Sequence, residues 1–359
     1  MKSIVLYINS WIKNSYIFFK VLRNKSMESV WTRYLKWCTT KSGKNVCNKI
    51  FIALNIGTFS AVYLPHTFHL KDYQKFMELY KDGKPVPVPE NLKSLFEEVE
   101  DDLDIHKIDR KLIKPFMCFG FDTFQAGISG MRSGGIIGIP INFTYKTARD
   151  LEASRLLINN APVDWSRQET EDLAQALVLS PDAKKFAIAR EILTFEEFSK
   201  LWDCIAATVL FVSSYAFSQW MKYKFNMYKK SLSSRVLLYT VAGFGGVGLY
   251  FMQKDFFRKR TERIVDEKLA QAGPTYVKGG HEFYSKLLAR NIAHRALLDK
   301  HGHELFTEEG DLAYFIREKT TPFTKRKSRF ESMIKEFMKE QEKSLDSDLT
   351  KIAGDVEQA

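Results

Sequence analysis

The sequence lacks what disulfide-built and zinc-ribbon scaffolds rest on. Four cysteines occur in 359 residues, Cys38, Cys47, Cys118 and Cys204, and no two form a CxxC pair. Their scatter fits small buried apolar residues, one of them in a membrane helix, and argues against a disulfide framework. Acid is almost missing at the start. Glu28 stands alone against Lys2, Lys13, Lys20, Arg23, Lys25, Arg33, Lys36, Lys41 and Lys44. The long apolar core of a secretory signal is missing too, because Lys13 and Lys20 interrupt it. A basic start spaced by Trp11, Tyr16, Phe18, Phe19, Trp31 and Trp37 has instead the character of a mitochondrial presequence. A nucleic-acid-binding arm shares that composition, but no recognition motif follows, so no nucleic acid is expected among the partners. Whether the chain starts at Met1 or Met27, a basic flank remains. No repeat of solenoid length occurs.

Formal charge is absent from three long windows. None falls between Lys49 and Lys71, between Asp203 and Lys222, or between Arg235 and Lys254. Each window holds about 18 residues or more, which at ~1.5 Å per residue spans most of a ~30 Å hydrocarbon core. A single centred charge would cost roughly 2.5–3.5 kcal/mol on insertion, so three such gaps predict membrane spans and a lipid bilayer as partner. The last two windows are joined by a link bearing Lys222, Lys224, Lys229, Lys230 and Arg235, which reads as a hairpin with a basic turn. In the first window, His66 and His69 near the end keep a buried core helix as a competing reading.

The expected organisation is a basic extension over 1–46, a span over 47–66 and a first soluble half over 67–200. Spans over 203–222 and 235–253 follow, then a second soluble half over 254–324 and a charged, partly disordered tail over 325–359. The fold class is mainly α with a small β element (α+β), the stretch SGGIIGIPINF supplying a strand.

Gly243, Gly245 and Gly248 spell G-x-G-x-x-G after the apolar run VLLYTVA. A dinucleotide-binding turn needs a βαβ context that a hairpin of apolar windows does not offer. Small residues such as Ala242 and Gly246 let membrane helices approach closely instead.

The stretch LSPDAKKFAIAREILTFEEFSKLW carries a helix start. Ser180 can cap, Pro181 suits the first position, and Asp182 faces the positive helix end. Within that helix, Arg190, Glu191 and Thr194 occupy the frame of an H-E-x-x-H zinc motif, in which two imidazoles on one face hold zinc beside a water-activating Glu. Beyond the hairpin, Glu262 and Asp266 lie four apart on one helix face. This order resembles the membrane zinc metallopeptidases of the HtpX and CAAX prenyl protease kind, where the downstream Glu is the third ligand. The expected soluble part is therefore a degenerate zincin-like domain with an N-terminal span and an inserted transmembrane hairpin. Both ligand histidines are missing: Arg190 is a fixed cation and Thr194 a poor ligand, so no metal, no cofactor and no enzymatic activity are expected. A pair between Arg190 and Glu262 would replace one cation by another. His301 and His303 read as a polar loop at the surface. The alternative is a membrane-bound zinc metallopeptidase with non-standard ligands.

PVDWSRQETEDLAQALVLSPDAKKFAIAREI and GGHEFYSKLLARNIAHRALLDKHGHELFTEEGD, with the GIPINF patch and the hairpin, resemble the transmembrane protein 177 family from about Phe51 to Thr324. The resemblance implies a multi-pass mitochondrial inner-membrane factor for cytochrome c oxidase assembly. It implies, as partners, cytochrome c oxidase subunit II, its inner-membrane assembly chaperone and the copper-delivery chaperones. Charge points both ways on topology: the N-terminal flank and basic turn favour one side of the membrane, and Lys254, Arg258, Lys259 and Arg260 favour the other.

Overall fold

All three charge-free windows become helices long and apolar enough to cross a membrane. The computed structural model describes residues 30, 32–34, 36–38, 40–152, 157–158, 161–162, 164–197 and 199–339. Most of the presequence-like extension and the tail beyond residue 339 lie outside this set. The chain divides into two units, one up to Thr58 and one from Phe59.

α1 (Lys41–Tyr63) carries the first window and stops before His66 and His69. Within the first unit, Ile50, Ile52, Leu54 and Ile56 along it are exposed. α2 (Leu70–Met77) leads to a short hairpin of β1 (Tyr80–Lys81) and β2 (Lys84–Pro85), then α3 (Glu90–Asp102) and α4 (Lys107–Leu112). A three-stranded sheet follows from β3 (Ile113–Cys118), β4 (Phe124–Gly127) and β5 (Gly135–Pro140). Its order is β3-β5-β4, with β5 parallel to β3 and antiparallel to β4. Every residue of β5 is buried, as a central strand covered on both faces requires. Gly135 and Gly138 leave room for neighbours: an added Cβ would fall 2.5 Å from the Phe195 ring and 2.8 Å from the Cys118 Cβ.

α5 (Arg149–Glu152), a second short hairpin of β6 (Leu157–Ile158) and β7 (Ala161–Pro162), and α6 (Gln168–Leu177) connect the sheet to the central helix α7 (Pro181–Glu196). Ser180 caps α7 by accepting from the Ala183 N–H at 3.2 Å, and Pro181 opens its first turn. Phe186, Ala187, Ile188, Ala189 and Ile192 are all fully buried, so the middle of α7 lies within the core.

α8 (Ser199–Lys224) and α9 (Leu232–Gln271) form the hairpin. The run VLLYTVA lies within the first turns of α9, not in a strand, so no dinucleotide-binding turn forms. Ala242 is buried, and an added Cβ at Gly246 would fall 2.2 Å from the Ser214 Oγ of α8. Gly243, Gly245 and Gly248 face open space. At 40 residues, α9 runs about 60 Å and reaches from the apolar window into the folded core without a break.

α10 (Pro274–Leu297) packs against α6 and α7, and α11 (Lys300–Leu305) follows it. Gly279 and Gly280 create the contact with α7. Added Cβ atoms there would meet the Asp182 carbonyl oxygen at 2.3 Å and the Phe186 ring at 2.7 Å. A last helix, α12, covers 323–339. The first part of the charged tail expected over 325–359 is thus helical as far as 339, and its remainder lies outside the described residues. Phe330 of α12 is fully buried against Phe186 and Tyr284, and Phe323, Met333, Ile334 and Phe337 pack beside it. One core thus draws on α3, β3, β5, α7, the end of α9, α10 and α12.

Candidate functional site

The residues in the zinc-motif frame come together around a cavity of about 670 Å³. Arg190, Glu191 and Thr194 face it from α7, and Glu262 from α9. Its walls include Trp202 and Asp203 at the start of α8 and Lys254, Phe257 and Arg258 just past the apolar window of α9. The cavity therefore lies where the hairpin joins the soluble part.

Arg190 does not pair with Glu262. Its guanidinium bonds the adjacent Glu191 carboxylate, Nη2 to Oε1 at 2.5 Å and Nε to the same oxygen at 3.1 Å. The expected bridge fails because Glu191 offers a carboxylate one residue away on the same side. Thr123, ahead of β4, completes the cluster. Its hydroxyl donates to Glu191 Oε1 at 2.7 Å and accepts from Arg190 Nη2 at 2.9 Å. The guanidinium also lies 5.0 Å from the Phe283 ring centre of α10, a cation–π distance. Burial disfavours the Arg190 charge, but the Glu191 carboxylate and Tyr284 more than offset it, so the group stays firmly protonated.

Thr194 turns its hydroxyl back to the Arg190 carbonyl at 2.6 Å, leaving no donor pointed at a shared centre. Glu262 accepts from the Thr321 N–H at 2.8 Å. Asp266, one turn on, is 1% exposed and lies behind the cavity wall. It accepts from Arg326 Nε at 2.8 Å and Nη2 at 2.6 Å, and from the Tyr284 hydroxyl at 3.3 Å. Arg326, itself 6% exposed, also sits 4.5 Å from the Tyr284 ring centre. This bidentate pair is the strong form of carboxylate recognition.

Thr123, Phe283, Tyr284 and Arg326 were not singled out in the sequence. Arg326 was legible in principle. Phe323, Phe330, Met333 or Ile334, and Phe337 recur at helical spacing and mark α12 as amphipathic despite its charge. Thr123 had no signal, since its partner lies 67 residues away.

The donors do not suit a zinc ion: one wall is a buried guanidinium, and the nearest carboxylate is committed to it. Among the described residues no group of three or more His, Cys, Asp or Glu is placed to hold a metal. His301 and His303 are exposed, though on the short helix α11 and not a loop. His294 is half-buried beside the Phe306 ring, and burial lowers its pKa. Cys118, buried in β3, has its thiol pushed up to about 12 by burial, which disfavours the nucleophilic thiolate.

A sequence profile described as Transmembrane protein 177 matches residues 92–348, which takes the likeness past Thr324 into α12 and beyond. Transmembrane protein 177 of Xenopus laevis is 32% identical over 287 residues, covering 78% of this chain and 91% of its own. The Rattus norvegicus protein of that name is 30% identical over 274 residues, covering 76% and 87%. The Homo sapiens protein is 30% identical over 273 residues, with the same coverage. No solved structure gives a significant match. A profile match over more than half the chain, with relatives alike over nearly their whole length, places this membrane protein with three candidate spans in the transmembrane protein 177 family.

Proposed function

We propose that this protein is a non-catalytic assembly factor of the mitochondrial inner membrane. It stabilises newly made cytochrome c oxidase subunit II together with that subunit's assembly chaperone, in contact with the copper-delivery chaperones. One observation supports the non-catalytic half of this reading. A charged Arg190–Glu191–Thr123 cluster occupies the position that two imidazoles hold in the peptidases this order resembles. A guanidinium there repels a metal cation and ties up the carboxylate that would activate water. What remains is a half-apolar cavity beside a membrane hairpin, suited to holding a hydrophobic client. The oxidase client and the mitochondrial address come from the family resemblance and the presequence-like start.

The test is pulse-labelling of mitochondrial translation products followed by capture of this protein after mild solubilisation. Labelled subunit II should co-purify, and its half-life should shorten when the protein is removed. An unchanged half-life with no co-purification would sink the reading. The peptidase-like descent of the scaffold has its own check. Arg190→His combined with Thr194→His should give a chain that holds stoichiometric zinc by metal analysis, where the natural chain holds none. A double variant that folds and takes up no zinc would show that the scaffold is not of zincin type.

A further inference from the structure

The connection between α11 and α12 carries two large apolar side chains that the described residues leave open: Phe315 is 100% exposed and Ile316 87% exposed. Slack backbone does not explain this, since the segment is pinned on both sides. Thr307 and Asp311 close a turn through N–H to carbonyl oxygen at 2.8 Å and N–H to Oγ1 at 3.0 Å. The Asp311 carboxylate accepts from the Thr324 N–H at 3.1 Å and the Thr324 hydroxyl at 2.5 Å. The Tyr314 and Thr320 hydroxyls meet at 2.8 Å across the tip.

Its contacts with α9 fix which way the tip faces. Thr321 N–H reaches Glu262 at 2.8 Å, Glu318 pairs with Lys259 at 3.1 Å, and Arg317 pairs with Asp255 at 2.5 Å. The Arg317 guanidinium also lies 4.2 Å from the ring centre of Phe251, inside the apolar window. Falling numbers in the loop thus track falling numbers in α9, toward the bilayer. Continued by one and two residues, the register brings Ile316 and Phe315 to the depth at which α9 leaves the hydrocarbon. Lys254 stands on α9 at that level, with exposed Phe256 just beyond it and Arg258 and Arg260 about one to two turns further out. Apolar rings amid cations match the boundary of an anionic bilayer.

We propose that Phe315 and Ile316 form an interfacial wedge that enters the same bilayer leaflet from which α9 emerges, flanked by cations that meet anionic headgroups. The wedge is a second membrane contact, separate from the spans, and it presses the cavity end of the soluble part onto the lipid surface.

The full chain in nanodiscs of phosphatidylcholine with an anionic phospholipid tests this, with a photoactivatable diazirine placed near the top of a lipid acyl chain. Adducts should map by mass spectrometry to Phe315 and Ile316 as they do to Phe256, and be absent around Glu309. Labelling of Phe256 without labelling of 315–316 would overturn the wedge. A second measurement uses a nitroxide on Ile316→Cys, with Cys38 and Cys47 changed to Ser. Collisions should favour oxygen over a water-soluble nickel complex at 316, with the reverse at a label on Glu309→Cys. Equal nickel access at both sites would overturn the proposal. So would shielding from both reagents, which would mean that a protein covers the tip.

Discussion

Arg190 and Glu191 are sequence neighbours, and the guanidinium Nη2 meets the Glu191 Oε1 at 2.5 Å inside the protein. Removing only the cation strands a buried carboxylate, a loss that typically costs about 3–5 kcal/mol. Arg190→Met should therefore lower the unfolding midpoint sharply, and Arg190→Met with Glu191→Gln should regain most of the loss. Thermal unfolding in detergent measures both. If the double variant is no better than the single one, the pair is not the source of the cost. Glu100 of α3 is different. Burial raises its carboxyl from 4.5 to about 7, against the pull of Arg110, and its Oε1 has no hydrogen-bond partner. The folded state thus keeps a proton that an unfolded carboxyl releases near 4.5. The stability from this group is full below about 4.5 and is lost as pH rises through about 7. Glu100→Gln should gain on the order of 1–2 kcal/mol at pH 8 and flatten the decline between those values. A decline of unchanged slope in the variant would assign it to another group.

At the scale of elements, the closest approach of α7 and α10 is one that glycine permits. At Gly279 an added methyl would strike the Asp182 carbonyl, backbone that cannot rotate away, whereas at Gly245 it would meet nothing. Gly279→Ala should cost about 1–3 kcal/mol through overpacking, and Gly245→Ala should be neutral or better. Equal midpoints in the two variants would contradict the α7–α10 contact. What the sequence told of the elements follows the same physics. The spans and the cap of α7 were legible because charge-free length and Ser-Pro-Asp are local signals. The Arg190–Glu262 bridge was misjudged because helical spacing says which face a residue takes, not which carboxylate lies nearer. Arg326 looked like one more solvated charge in TKRKSRFES, and only its pairing with Asp266, 60 residues earlier, shows it belongs to the core.

In the molecule as a whole, the hairpin interrupts a core that needs both flanks. Val265, Leu269, Tyr284 and Phe330 close over Phe186 and Ile188, which precede the hairpin. A fragment of residues 71–198 alone should stay open to limited proteolysis. Co-expression with residues 254–339 should restore a protease-resistant complex. Resistance of the first fragment by itself would mean that the halves fold independently.

The unbroken course of α9 has a mechanical consequence. Glu262 and Asp266 stand about 9 to 13 residues beyond the apolar window on the same rigid rod, a lever arm of roughly 14–20 Å. Tilting the span by about 10°, well within the range helices adopt as bilayer thickness varies, would swing those carboxylates by about 3 Å. Loop and α12 are fastened to them through Thr321 and Arg326, so such a swing reshapes one wall of the cavity. A change in the tilt of the span would therefore be felt first at the cavity wall that α9 carries.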